Sequence, residues 1–96
     1  MSEEVSYSYL IRIDGKVQGV WYRGWTVAQA KKRGLSGWVQ NLPDGSVEAL
    51  VSGPETAVRQ MLLDFQNGPP AADVTSVTAK LTEPPQNNDF KCLRNR

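Results

Sequence analysis

The sequence predicts a two-layer α+β sandwich of order β-α-β-β-α-β, an antiparallel sheet carrying two helices on one face. Three observations predict it. Residues Ser6 to Asp14, Ser46 to Ser52 and Asp73 to Leu81 alternate in polarity with the period of half-buried strands. Val58, Met61, Leu62 and Phe65 follow the i, i+3, i+4, i+7 spacing of an amphipathic helix. Leu42-Pro43-Asp44-Gly45 is a turn between two extended runs, with proline presetting one central angle and Gly45 able to take a positive φ.

Taken in order, Met1 to Glu4 is polar and expected to fray. The first strand spans Ser6 to Asp14, with Tyr7, Tyr9, Ile11 and Ile13 on its buried face. A glycine-bearing loop leads into a helix from Tyr22 to Arg33. Trp25, Ala28 and Gln29 lie near one another there, and Thr26, Val27 and Ala30 supply the rest of the packed side. Lys31, Lys32 and Arg33 complement the dipole of the last turn as a solvated end, and Gly34 stops the helix. Leu35 to Asn41 is the second strand, with Trp38 as its large apolar residue. The turn then makes a hairpin with the third strand, whose Val47, Ala49 and Val51 face away from Ser46, Glu48 and Leu50. Pro54 and Glu55 open the second helix, and Asn67-Gly68-Pro69-Pro70 closes it. The fourth strand, Asp73 to Leu81, puts Thr75, Val77, Ala79 and Leu81 on one side. Pro84 to Asp89 is a loop, and Phe90 to Leu93 forms a short edge strand. The order is that of the ferredoxin-like, split βαβ fold. Its first and second strands run parallel with the third between them, so their C-terminal ends share one edge of the sheet.

Ninety-six residues, 40% apolar, give a single domain over 1–96. A net charge of +1 is far from the strongly basic balance of a general polyanion binder, and the third strand lacks the aromatics of an RNA reader on this fold. Cys92 has no second cysteine to pair with and is expected to be structural or incidental. The start Met-Ser-Glu-Glu-Val has no signal-peptide character, and no apolar run reaches membrane-spanning length, so the cytoplasm is the expected compartment. The chain has no histidine, which excludes a Ser/His/Asp triad, a Cys/His pair and histidine-based metal sites. Any catalysis must rest on positioning and fixed charge.

The stretch Gly15-Lys16-Val17-Gln18-Gly19-Val20-Trp21-Tyr22-Arg23 joins the first strand to the first helix. A loop in that position turns several N–H groups toward one point, where the helix dipole adds positive charge. Gly15 and Gly19 permit such a path and the close approach of a ligand. Arg23, in the first helical turn, can fold back and grip two phosphoryl oxygens, while Lys16 is either a looser charge or a solvated lysine. The same loop is also compatible with an ordinary connection. Asn41 ends the second strand, two strand spacings or about 10 Å from the loop. Its amide can orient a water without titrating, or simply bond its own turn.

The stretch from Gly15 to Arg23, followed by Gly34-Leu35-Ser36-Gly37-Trp38-Val39-Gln40-Asn41-Leu42-Pro43-Asp44-Gly45-Ser46-Val47-Glu48, resembles the paired signature of the acylphosphatase family. The resemblance covers nearly the whole chain. It implies hydrolysis of acyl phosphates to carboxylate and inorganic phosphate, without metal or organic cofactor. It further implies that Arg23 binds the phosphoryl group, that Asn41 places the attacking water, and that the backbone N–H groups of Gln18, Gly19, Val20, Trp21 and Tyr22 complete the anion site. The implied partner is a small-molecule acyl phosphate, with no nucleic acid or membrane, and the simplest assembly is a monomer. Trp21 and Tyr22 are bulkier than in some relatives, Gly24 is expected to loosen the first helical turn, and Leu42-Pro43 replaces a polar turn, leaving Asn41 to be supported by other groups. The alternative reading is a catalytically idle phosphate-binding or acyl phosphate-binding module of the same fold, as in the acylphosphatase-like portion of hydrogenase maturation proteins. Such portions belong to much longer chains, whereas this one is expected to be complete at domain length.

Overall fold

The computed structural model describes residues 5–94, so the expectation for Met1 to Glu4 lies outside the described residues. The elements are β1 (Ser6–Lys16), α1 (Tyr22–Lys32), β2 (Ser36–Asn41), β3 (Val47–Pro54), α2 (Glu55–Asn67), β4 (Asp73–Leu81) and β5 (Phe90–Cys92). They form one sheet of order β4-β1-β3-β2-β5. This is the expected ferredoxin-like α+β sandwich with one correction: β5 pairs with β2 in parallel, so the sheet is mixed rather than antiparallel throughout.

The register fixes the geometry of the functional edge. Ile13 of β1 and Asn41 of β2 are both partners of Val47 on the intervening β3. The C-terminal ends of β1 and β2 therefore lie side by side across one strand, as the topology required. In β2 the helix-facing parity is Gly37, Val39, Asn41, and Val39 is fully buried. Asn41 continues that row at the point where α1 begins.

Packing corrects the expected face of α1. The buried row is Tyr22, Thr26 and Ala30, spaced four apart, while Trp25 is half-buried and Ala28 is exposed. Tyr22 is the reason. Its ring stacks on Phe65 of α2, with centroids 6.3 Å apart and planes 10° from parallel, and its hydroxyl donates to the Phe65 carbonyl at 2.6 Å. Burial pushes the Tyr22 phenol pKa well up, which keeps it a hydrogen-bond donor. Arg33 is not a solvated helix end either, because its guanidinium pairs with Asp64 and ties the two helices together.

Strand β4 departs from its expected alternation at a bulge. Asp14 pairs with Ser76 and Gly15 with Val74, leaving Thr75 as the extra residue. One inserted residue reverses the faces on either side. Val74 and Val77 therefore both pack on the core and Thr75 is exposed, while Ala79 and Leu81, which share the parity of Val77, are exposed further along this edge strand. Gly15 belongs to this bulge: a Cβ there, at φ 126°, would sit 2.2 Å from the Asp73 carbonyl oxygen. Its glycine serves strand pairing rather than ligand approach.

Candidate active site

A loop that leaves a strand and immediately starts a helix must be held at both ends. Val17 is buried at the first end and Tyr22 at the second, so the residues between them form a fixed arch. Within it Gly19 takes φ 74° and Trp21 takes φ 68°, both left-handed. A Cβ built on Gly19 meets nothing within 4 Å, so the arch is open there, consistent with close approach of a ligand. Trp25 N–H donates to the Trp21 carbonyl at 3.0 Å, the first closing bond of α1. The N–H groups ahead of it precede the helical ladder, at the positive end of the helix dipole.

Asn41 meets this arch. It is 7% exposed, and its Oδ1 is buried with no hydrogen-bond partner among the described residues. A buried amide oxygen in that condition costs about 1–3 kcal/mol, which a hydrogen bond from a water or ligand would remove. Gln18, Gly19, Trp21, Arg23, Asn41 and Cys92 line one cleft of about 220 Å³, together with the edges of Val17, Tyr22 and Gly24. The structure thus brings together the residues singled out from the sequence, with two exceptions. Val20 does not line the cleft, and its side chain packs against the core. Lys16 is exposed and outside the lining as well.

Three features of the cleft were not legible beforehand. The Gln18 side chain, considered only for its backbone, donates through Nε2 to the Leu42 carbonyl at 2.9 Å and to the Ser46 carbonyl at 2.8 Å. Those carbonyls bracket the turn that follows Asn41. Gln18 thereby supplies the support that Leu42 cannot give. Gly24 does not merely loosen the helix, because a Cβ there would lie 2.1 Å from the indole Nε1 of Trp21. Cys92, expected to be incidental, is exposed and lines the cleft because β5 brings it into register with Val39. Only its position beside Phe90, the buried residue of a terminal strand, hinted at this placement.

The far side of the turn is also braced. Asp44 accepts from the Ser46 hydroxyl and N–H, and Arg12 donates to both Asp44 and Asp14. The Ser46 contacts first, and Arg12 second, hold the Asp44 carboxyl well below the usual carboxylate range. Removing the Gln18 amide should loosen the turn from the other side. Gln18→Leu removes one of two donors from each carbonyl, the Gly45 N–H remaining on Leu42 and the Leu42 N–H on Ser46, and the loss of two hydrogen bonds is expected to lower stability by about 1–3 kcal/mol, read as a fall in the urea midpoint.

An arch of helix-start N–H groups with an arginine, set against a strand-end amide whose oxygen is unpaired, defines a protein that handles phosphoryl groups on a ferredoxin-like sandwich. The comparisons make that class specific. The family model described as acylphosphatase matches residues 9–92, and the chain belongs to the acylphosphatase family. It is 54% identical over 81 residues to an acylphosphatase of Rhodospirillum rubrum, covering 84% of this chain and 89% of that one. Among solved structures it is similar to an acylphosphatase from Coxiella burnetii, with a TM-score of 0.88, 30% identity, and coverage of 92% and 93% of the two chains. It is also similar to HypF of T. kodakarensis, with a TM-score of 0.76 and 32% identity over 94% of this chain but only 12% of that much longer one.

Proposed function

We propose that this chain hydrolyses acyl phosphates at the cleft between the Gln18–Arg23 arch and Asn41. It is an acylphosphatase, an acyl phosphate hydrolase. The observation that carries the assignment of roles is the unpaired Oδ1 of Asn41, buried in the same cleft as Arg23. The Arg23 guanidinium grips two phosphoryl oxygens, and the N–H groups of Gln18, Gly19, Val20, Trp21 and Tyr22 complete the anion site. Asn41 Oδ1 accepts a hydrogen bond from a water and points its lone pair at phosphorus. The water oxygen bonds to phosphorus as the bond to the acyl oxygen breaks, and the carboxylate leaves with that electron pair. The water's proton passes to a phosphate oxygen of the substrate, giving carboxylate and dihydrogen phosphate. An acyl phosphate carries a good leaving group, so positioning and charge stabilisation supply the rate and no titrating protein base is needed.

The whole chain acts as one domain over 1–96, a cytoplasmic monomer on a small-molecule substrate. The net charge of +1 and the lack of aromatics on β3 support the reading without nucleic acid. No helix among the described residues is long and apolar enough to cross a membrane. The second reading is a phosphate-binding or acyl phosphate-binding module of the same fold that does not turn over, a fold this chain shares with one part of the much longer HypF. Hydrolysis of benzoyl phosphate by the purified chain, in excess chelator, separates the two. Turnover unaffected by the chelator is expected. Phosphate binding without turnover would favour the idle module.

A further inference from the structure

Trp21 has a set of properties that core packing does not explain. Among the described residues it is the one non-glycine with a left-handed backbone, at φ 68° and ψ 23°. That region disfavours a bulky side chain, and such outliers persist where the surroundings hold them in place. Trp21 is 66% exposed, so little burial compensates for the backbone. A second local cost serves the same ring. Gly24 sits inside the first turn of α1, and a Cβ there would lie 2.1 Å from Nε1, 2.7 Å from Cδ1 and 3.0 Å from Cε2 of the indole. The pyrrole edge therefore rests on the bare backbone of Gly24, which fixes the ring's position. Both residues line the cleft of Arg23 and Asn41.

We propose that the Trp21 indole is the acyl-binding platform, and that it directs the enzyme to acyl phosphates with planar aromatic acyl groups. The proposal rests on the hydrolytic reading of this cleft. In that reading the charged half of the substrate is held by Arg23 and the arch, which leaves the acyl half without a polar partner. A ring fixed beside the arch offers that half an apolar surface for offset stacking. A short acyl group such as acetyl is too small to cover it. Cys92, on β5, adds a small and weakly polar wall to the same cleft.

The test is the ratio of kcat/KM for benzoyl phosphate to that for acetyl phosphate in the parent and in Trp21→Phe, Trp21→Ala and Trp21→Asn. Asparagine tolerates the left-handed backbone, so Trp21→Asn removes the ring while leaving the arch conformation accessible. The ratio is expected to fall about three- to tenfold in Trp21→Asn and Trp21→Ala, the range of aromatic contact energies, and to be largely retained in Trp21→Phe. Inhibition by inorganic phosphate reports on the arch separately. A fall of both substrates in proportion, or a matching loss of phosphate inhibition, would overturn the platform and make Trp21 a backbone element only. Hydrolysis of neither substrate by the parent would instead overturn the underlying reaction, and the platform with it.

Discussion

Arg23→Ala is expected to lose both affinity for phosphate and turnover. The arginine lies in the first turn of α1 and lines the cleft beside the arch, and in the proposed mechanism its charge acts on the ground state and on the transition state alike. A guanidinium aimed at a transferring phosphoryl group contributes about 10³–10⁵-fold to turnover. Inorganic phosphate, a product, should then inhibit Arg23→Ala far more weakly than the parent. Arg23→Lys restores a charge but not the two-pronged geometry, so recovery should be partial. Isothermal titration with phosphate and steady-state kinetics on benzoyl phosphate read the two losses separately.

Asn41→Ala is expected to behave differently. Its Oδ1 has no hydrogen-bond partner among the described residues, so removing that oxygen breaks no hydrogen bond that holds them. Phosphate affinity should persist, while kcat falls by about 10²–10³-fold, about 3–4 kcal/mol, as for other preorganised polar contacts made in the transition state. Asn41→Asp keeps the shape but brings a carboxylate beside the phosphoryl site, and repulsion should weaken phosphate binding as well. Substrate kinetics beside phosphate inhibition distinguish these outcomes.

The convergence of these two residues was legible because it depends on order rather than on contacts. The alternation of Tyr7 to Ile13, the turn at Leu42 to Gly45 and the stripe of Val58 to Phe65 fix the topology, and the topology brings the ends of β1 and β2 together. What escaped depends on partners distant in the chain. The bulge at Thr75 arises where β4 meets Gly15, and nothing within Asp73 to Leu81 announces it. Tyr22 looked like part of the anion loop, yet its ring is claimed by Phe65, forty-three residues later. Gln18 offered a backbone N–H from its place in the loop, while its amide reaches the carbonyls of Leu42 and Ser46. Gly24 reads as a weak helix residue until the Trp21 indole is seen lying on it.

In the proposed mechanism Arg23 and Asn41 divide the work, one holding phosphate and the other orienting water. The most direct measurement is benzoyl phosphate hydrolysis by the parent, Arg23→Ala and Asn41→Ala in excess chelator, with phosphate binding measured on the same three samples. An active parent, two variants without appreciable turnover, and phosphate binding retained by Asn41→Ala alone among the variants are expected. Asn41→Ala turning over at the parent rate, or Arg23→Ala binding phosphate as the parent does, would contradict the mechanism.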